Sequence, residues 1–527
     1  MNIKPFIDRY SLFIYLFFLI LFSFSINQYY AFIGILPVDS FSTFNGGYDF
    51  LKGSIPFKDY WVIKGITLDL IQAIYYKLFG VSWFSYAAHA STFNSIFALA
   101  TFYLFYKLNL EIKFSFLYSL LASILMYPTY GIPFTDHTTA IFCMLSMYSV
   151  CLALKTNKTL YWFLIPIFLF LAFLTKQTPS GYFGILIFLV SIFYLLFNYQ
   201  NKIIFTIFFG VLISILPAVI YIYLKDISIE SILIQYFLYP ISLGETRIEW
   251  LLPFEFQRFV FRHKLIYLAL LIPIYLFIKN IFQKFSSIFE IDNLIFLLLI
   301  GTLLIFITHQ LMTINGLYIF FLIPVFAGFS HIYSKDFKRK KILVNFFLIL
   351  SLASTIYYHQ KYINKRDTLL LRETNLNKAS DASILSSSLK NLKWITHHYP
   401  NDPDSEIENL LNTIDVIKGD NRKKMIVTDY QFISVILSTN DNSAARIWWR
   451  HHLYPEPGKK YFDYWKKYLL SKIIKEKIEV VYTVHPLEGE DNIFKGLISN
   501  NCYYEEKPND ILVIQKLKKC SDLNIKD

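Results

Sequence analysis

The sequence predicts a multi-spanning α-helical membrane protein with a soluble α/β domain at its C-terminal end. Of its 527 residues, 55% are hydrophobic, 19% are aromatic and 17% are charged, whereas about 25% are charged in soluble domains. Apolar runs of about 20 residues, the length of a membrane-crossing helix, recur until about residue 360. This composition excludes a disordered chain, a coiled coil, a secreted disulfide scaffold and an ordinary cytosolic enzyme.

The apolar runs predict eleven membrane-spanning helices. They lie near residues 11–33, 84–106, 114–131, 137–154, 160–175, 181–198, 202–224, 265–279, 293–308, 316–334 and 341–358. Together they form a predicted transmembrane domain, 1–358, with long outer loops at about 34–83 and 225–264. Both loops contain amphipathic stretches, Ile66 to Phe79 and Ser231 to Tyr239, which suit helices lying in the membrane interface.

Lysine and arginine predict the orientation. With the N-terminus in the cytoplasm, the inner segments hold fourteen basic and five acidic residues, whereas the outer loops as far as Lys264 hold ten of each. Most of the net charge of +12 is therefore a topology signal, and not the clustered basic face of a nucleic-acid-binding protein. Eleven spans leave residues 359–527 outside, so we expect an inner-membrane protein with an extracytoplasmic C-terminal domain.

The C-terminal segment is predicted to fold as a small α/β domain. Three apolar runs predict buried strands, at 425–430, 480–484 and 511–517. The stretch Lys466 to Lys477 predicts an amphipathic helix between them. The sequence alone leaves open whether Cys502 and Cys520 pair, and it assigns the domain no role.

Charged residues beside membrane spans are costly and are therefore candidates for function. Asp39 follows the first span, where a carboxylate among apolar neighbours has the chemistry of a general base. A solvated or helix-capping aspartate is the alternative. In the first loop, Gly and Pro turns from Gly53 to Gly65 present Asp59 and Lys64 among aromatic residues; an exposed loop with a local ion pair explains them equally well.

Two further clusters follow. Asp136 and His137 open the fourth span, either as a helix cap at the positive end of the helix dipole or as two adjacent metal ligands. Lys176 and Gln177 end the fifth span, where a lysine either snorkels to the interface or binds phosphate as a point charge. His309, at a later helix end, is interpreted as an interfacial histidine.

In this order the residues resemble those of the GT-C superfamily of integral membrane glycosyltransferases, in its bacterial ArnT and protein O-mannosyltransferase-like branch. Asp39 matches an aspartate that follows the first span in that family. Residues Gly53 to Gly65 match the pattern G-x-x-P-[YF]-x-D-x-x-x-x-K-[GP], and Leu78-Phe-Gly80 follows it. Lys176-Gln-Thr178 matches a motif at the end of a middle span.

The sequence departs from the family at two points. Ser40 stands where the first motif often has a second carboxylate. Tyr318 and Pro324 match a late His-Tyr and Pro pattern, but Leu317 replaces the histidine. The resemblance covers about residues 1–335 and leaves the C-terminal domain unassigned.

The resemblance implies a GT-C-like fold and an inverting transfer of a sugar from a polyprenyl-phosphate donor to an envelope acceptor: lipid A or its core, another glycan or a protein. Asp39 is then the catalytic base. The substrate-binding candidates are Asp59, Lys64, Asp136, His137, Lys176, Gln177 and Tyr318. No cofactor or metal is expected, and the partners are the donor, the acceptor and membrane lipid, with no nucleic acid.

Three other classes of protein also need many spans. A lipid-linked sugar flippase or transporter is the main alternative, although transporters place their sites near the midplane and on repeated halves, and no repeat is visible. A polysaccharide polymerase would use outer loops, but the pattern from Gly53 to Gly65 is not expected in one. A noncatalytic scaffold would tolerate the loss of Asp39.

Overall fold

The computed structural model describes residues 4–251, 255–313, 318–438, 442–448, 453–486, 493–494 and 496–520, and only the backbone of 4–10, 246, 250 and 318. The α-helices are α1 (Lys4–Ala31), α2 (Pro37–Ser40), α3 (Ser42–Leu51), α4 (Thr67–Phe79), α5 (Trp83–Lys107), α6 (Ile112–Leu125), α7 (Thr135–Thr156), α8 (Thr159–Thr175), α9 (Gln177–Phe197), α10 (Asn201–Leu224), α11 (Ile229–Ile232), α12 (Tyr239–Ile248), α13 (Phe256–Phe259), α14 (Lys264–Ala269), α15 (Leu271–Gln283), α16 (Ile291–Thr313), α17 (Leu322–Tyr333), α18 (Lys340–Tyr358), α19 (Pro403–Gly419), α20 (Phe432–Leu437) and α21 (Phe462–Lys475). The strands are β1 (Ser380–Asp381), β2 (Lys393–Trp394), β3 (Lys424–Thr428), β4 (Val480–Val484), β5 (Tyr503–Asn509) and β6 (Leu512–Leu517).

The chain is a multi-pass membrane protein. Within the described ranges, seven helical stretches are long and apolar enough to cross a membrane: Ser11–Ala31, Ile112–Thr129, Thr135–Thr156, Gln177–Phe197, Asn201–Leu224, Ile291–Thr313 and Lys340–Leu369. A pair bent by 85°, Phe256–Ala269 with Leu271–Gln283, gives eight if it is one span. The predicted multi-spanning helical architecture is confirmed. The number eleven stays a prediction, because helices such as α8 and α17, with 17 and 12 residues, are short for a bilayer core of about 30 Å.

The chain divides into two compact units. The first unit comprises Met1–Ala31, Ala87–Tyr221 and Arg247–Thr368. Helix α7 is buried along its whole spanning length and packs against α8, α9 and α16. Before it, the guanidinium of Arg366 donates hydrogen bonds to the carbonyl oxygens of Pro128, Thr129 and Tyr130 at 2.7–3.2 Å. This buried arginine fixes the turn from which α7 starts.

The second unit comprises Phe32–Tyr86, Ile222–Thr246 and Leu369–Asp527. Its four-stranded sheet has the order β3-β4-β6-β5, with β3 and β4 parallel and the other pairs antiparallel. The predicted α/β domain is confirmed, and β3, β4, β6 and α21 lie where the sequence predicted three strands and a helix. Strand β5 was not predicted, because its residues are mostly exposed and polar. The predicted domain boundary at residue 358 stays a prediction.

The side chain and backbone of Trp61 join distant segments of the second unit. Trp61 of the first loop donates its backbone N–H to the Ala444 carbonyl at 2.8 Å and its indole N–H to the Leu453 carbonyl at 3.0 Å. Its ring packs against Tyr239 and Trp465, at ring distances of 5.7 and 5.2 Å. Both long loops and the C-terminal segment therefore share one core. Cys502 and Cys520 form a disulfide bond.

The contact between α3 and α4 generates a stability prediction. A Cβ added at Gly46 would overlap the buried carboxylate of Asp69 on α4. We expect Gly46→Ala to lower the free energy of unfolding by about 1–3 kcal/mol, the usual cost of overpacking, although alanine favours helices. At Gly419, a Cβ meets no atom within 4 Å, so Gly419→Ala is the matched control. Thermal unfolding of the detergent-purified protein measures both; equal midpoints for the two variants would contradict the close packing.

Candidate functional site

Three polar side chains from membrane helices meet inside the first unit. Asp136 lies in the first turn of α7, Lys176 lies between α8 and α9, and His309 lies in the last turns of α16. The Oδ1 atom of Asp136 accepts a hydrogen bond from Lys176 Nζ and lies 3.2 Å from His309 Nε2. One carboxylate therefore ties together the ends of three helical segments.

Asp136 and His309 are almost completely removed from solvent, and Lys176 is half-buried. The exposed fraction of the side chain is 5% for Asp136, 1% for His309 and 21% for Lys176. Charges among membrane helices are costly unless they are paired, and they commonly mark functional sites. The sequence predicted Asp136 and Lys176 as separate candidates and His309 as an interfacial residue. The structure brings the three together and places His309 in the interior of the unit.

His137 has a different environment from its neighbour Asp136. Its Nε2 lies 2.6 Å from Thr129 Oγ1, and its ring packs against Tyr127 and Tyr130 at 5.5 and 5.3 Å. It therefore contacts the turn that precedes α7. Among the described residues, no group of three or more His, Cys, Asp or Glu side chains is placed to hold a metal ion. Metal-independent activity stays a prediction.

Two other predicted residues lie in the first unit. Gln177 is half-buried in the first turn of α9, directly after Lys176. The backbone of Tyr318 begins a short 3₁₀ helix, Tyr318–Phe321, while its side chain and Leu317 lie outside the described residues. The predicted role of Tyr318 therefore stays a prediction.

Asp39, the predicted base, lies in α2 of the second unit. The short helix begins at Pro37, and its residues Pro37, Val38 and Ser40 are buried, whereas Asp39 is half-buried. The hydroxyl of Ser40 accepts the N–H of Leu36 at 3.0 Å. Ser40, which replaces a carboxylate in the family pattern, therefore stabilises the helix that carries Asp39.

In the loop from Gly53 to Gly65, the two charged candidates, Asp59 and Lys64, have different partners. The carboxylate of Asp59 accepts the N–H of Ile55 at 2.7 Å and closes its own turn. Lys64 donates to the hydroxyl of Ser42 at 2.9 Å. Lys64 lines a small cavity of about 30 Å³ together with Tyr60, Trp61, Asp69 and Arg446. Asp59 and Lys64 form no local ion pair, and Asp59 does not line this cavity.

A buried charge network beside Lys64 was not predicted. Arg446, from the C-terminal segment, pairs with the carboxylate of Asp49 and lies 3.7 Å above the ring of Tyr60. The hydroxyl of Tyr60 points to Asp69 Oδ2 at 3.5 Å, the upper limit for a hydrogen bond. Burial raises the pKa of Asp69 to about 6; the Asp49 carboxylate also raises it, while the cations of Lys64 and Arg446 lower it.

One of these missed residues had a signal in the sequence. Asp69 lies on the stripe Asp69, Gln72, Ala73 and Tyr76 of α4, spaced as one helix face, and all four residues are buried. A carboxylate on the apolar face of a predicted interfacial helix indicates a buried partner. Arg446 gave no such signal, because 397 residues separate it from Asp49.

Comparison with solved structures finds proteins that resemble this chain in fold. No family model and no curated protein matches the sequence. The chain is similar to ArnT. The matching structure is the crystal structure of ArnT from Cupriavidus metallidurans in the apo state. It gives a TM-score of 0.47 and 12% sequence identity, and the match covers 96% of this chain and 98% of that chain. A likeness of this degree assigns no role to any residue of this chain.

The Asp136–Lys176 pair generates a coupling prediction. Removing one partner leaves a buried charge without its counter-ion, which costs about 3–5 kcal/mol. We expect Lys176→Met and Asp136→Asn each to lower the thermal midpoint strongly, and the double variant to lose less than the two single losses added together. The exposed pair Lys155 and Asp292 is the control, because exposed pairs contribute about 1 kcal/mol at most. Strict additivity at Lys176 and Asp136 would rule out the coupling.

The raised pKa of Asp69 generates a pH prediction. Between about pH 4 and pH 6, the folded protein binds the Asp69 proton and the unfolded chain does not, so the free energy of unfolding falls as the pH rises. At about 1.4 kcal/mol per pKa unit, the change amounts to roughly 3 kcal/mol. Chemical denaturation at several pH values should show this loss in the wild type and in Asp415→Asn, an exposed control, but not in Asp69→Asn. A parallel pH profile for Asp69→Asn would contradict the assignment.

Proposed function

We propose that the chain is a membrane glycosyltransferase of the GT-C type, which moves a sugar from a polyprenyl-phosphate donor to an envelope acceptor with inversion. The observation that carries the proposal is the buried cluster of Asp136, Lys176 and His309 at the ends of membrane helices. A lysine in such a place binds phosphate as a point charge, and it belongs to the sequence motif that the family uses at this position.

The transfer follows from the chemistry of the groups. Asp39 takes the proton of the acceptor hydroxyl while the hydroxyl oxygen attacks the anomeric carbon, and the bond from that carbon to the donor phosphate oxygen breaks. The leaving group is a phosphate anion, so no general acid is required. Attack opposite the leaving group inverts the configuration. Asp39 is the one residue of α2 that is not fully buried, which supports this role, because the base has to reach a hydroxyl that arrives from solution or from the membrane surface.

In the proposed transfer, lysine side chains stabilise the phosphate that leaves. Charge grows on the phosphate in the transition state, and a preorganised ammonium stabilises it. We assign this role to Lys176, with Asp136 and His309 as its positioning residues, and the resemblance implies a similar role for Lys64. Gln177, His137, Asp59 and Tyr318 remain substrate-binding candidates. Of these, Asp59 and His137 have close contacts within their own turns, so their effects on turnover would be indirect.

The proposed orientation places the second unit outside the cytoplasm. The excess of lysine and arginine on the other set of loops supports it. The Cys502–Cys520 disulfide also supports it, since disulfides persist in oxidising compartments. The first long loop and residues 225–246 of the second belong to the same compact unit as the C-terminal domain, which fits three segments on one side of the inner membrane.

Donor consumption tests the function. Purified protein is incubated with polyprenyl-phosphate sugars and envelope acceptors, and mass spectrometry detects free polyprenyl phosphate. We expect turnover by the wild type and a loss of about 10²–10⁴-fold in Asp39→Asn, the usual contribution of a general base. Asp415→Asn, which makes the same change at an exposed site, should retain full turnover.

Two outcomes would contradict the proposal in different ways. If the wild type binds a donor without consuming it, the transferase proposal fails, and movement of lipid-linked sugar in vesicles tests the flippase alternative. If Asp39→Asn turns over like the wild type, another carboxylate is the base. Donor affinity measured in parallel separates these outcomes, because Lys176→Ala should weaken donor binding as well as turnover, whereas Asp39→Asn should leave binding intact.

A further inference from the structure

A second cleft in the second unit has a volume of about 450 Å³, far larger than the cavity beside Lys64. One wall is a face of α21, formed by Tyr468, Ser471, Lys472 and Lys475. Their spacing of three, one and three residues places them on one side of a helix. The opposite wall is the turn Lys58-Asp59 of the first loop, and Glu476 completes the polar lining.

Hydrogen bonds join the two walls of the cleft. Lys472 donates to the backbone carbonyl of Asp59, and the hydroxyl of Tyr468 donates to that of Lys58 at 3.4 Å. The Asp59 carboxylate accepts the N–H of Ile55, which fixes the turn. The buried face of α21, including Trp465, Leu469 and Ile473, packs into the core of the unit. The lining side chains therefore project from a rigid support.

The cleft adjoins the end of a membrane helix. Lys58 donates to the carbonyl of Lys225 at 3.0 Å and lies 3.6 Å from the carboxylate of Asp226. These residues directly follow Leu224, the last residue of α10, and a residue advances the chain by at most about 3.6 Å. The turn of α10 that precedes them belongs to the same unit. This wall of the cleft therefore lies at the depth of lipid headgroups.

The helical segment after Asp226 carries an exposed apolar stripe. Four of its side chains are 36–62% exposed: Ile229, Leu233, Phe237 and Ile241. Between them, Gln235 is buried, and Ser231 is hydrogen-bonded to Tyr464 of α21 at 2.9 Å. The segment thus faces outward with apolar residues and inward with Ser231, which contacts α21, and Gln235, which contacts the first loop, as helices in the membrane interface do.

We propose that this cleft binds the phosphoethanolamine headgroup of a membrane phospholipid. Lys58, Lys472 and Lys475 provide ammonium groups for the phosphate, and the Glu476 carboxylate pairs with the headgroup ammonium. The lining carries three lysines and two carboxylates. The carboxylate of Asp226, beside Lys58, adds a third negative charge, so the net charge of the cleft is close to zero. Such a lining offers little attraction to a purely anionic headgroup, whereas both of its signs match a zwitterion. The site does not depend on the transferase proposal.

Lipid selectivity of the full-length protein tests this site. The protein is reconstituted in nanodiscs or micelles with phosphatidylethanolamine, phosphatidylglycerol and phosphatidylcholine, and native mass spectrometry counts the lipids retained. We expect phosphatidylethanolamine to be retained preferentially, because phosphatidylglycerol lacks the ammonium and the ammonium of phosphatidylcholine has no N–H donors. Lys475→Gln should lower this retention by about fivefold, the effect that one lysine has at an anionic lipid surface. Lys467→Gln, which makes the same charge change on α21 outside the lining, should not.

Further variants separate the parts of the site. Glu476→Gln should remove the preference for phosphatidylethanolamine over phosphatidylglycerol. Equal retention of the three lipids by the wild type would overturn the proposal, and so would an equal loss in Lys467→Gln. Displacement of the lipid by inorganic phosphate would overturn it as well, since it would indicate a site for soluble phosphate. Lys475 is exposed, so its variant should keep the wild-type unfolding midpoint. Lipid binding is measured without turnover, so failure here is distinct from failure of the transferase proposal.

Discussion

The requirement that a buried charge be paired shapes both compact units. In the first unit, Asp136 binds Lys176 and His309, so helices that are up to 173 residues apart in sequence have to end together. In the second unit, Asp49 binds Arg446 of the C-terminal segment, 397 residues away. Burial of either carboxylate as an anion without its partner costs several kcal/mol. Each pair therefore selects against arrangements in which its distant segments fail to meet.

Local periodicity predicted the helices and strands, but not their grouping. Long apolar runs predicted the spans, and short apolar runs predicted β3, β4 and β6, because these elements are buried and their composition reflects it. Strand β5 was not predicted, because its exposed residues, such as Glu505 and Glu506, carry no apolar pattern. The union of both loops with the C-terminal domain depends on contacts such as Trp61 with Ala444, and no local pattern encodes a partner nearly four hundred residues away.

In the candidate site as well, the sequence indicated which residues matter but not which residues they contact. Asp136 and Lys176 were recognisable individually, because charges near spans are rare, but their pairing was not. Asp59 was chosen for its motif, yet its carboxylate closes the turn of its own loop. Asp69 could have been recognised from its place on a buried helix face. Arg446 could not, because a lone arginine in a soluble segment is usually a surface residue.

The pairing in the first unit has a consequence for the proposed donor. Lys176 is hydrogen-bonded to Asp136, so a phosphate that takes Lys176 as its counter-ion has to compete with that carboxylate. A carboxylate left alone in a buried site would oppose the exchange. In the proposed transfer, His309, 3.2 Å from the same oxygen, would offset this cost, because it would keep Asp136 hydrogen-bonded while Lys176 binds the phosphate. A third polar group beside the ion pair would then allow a ligand anion to open it.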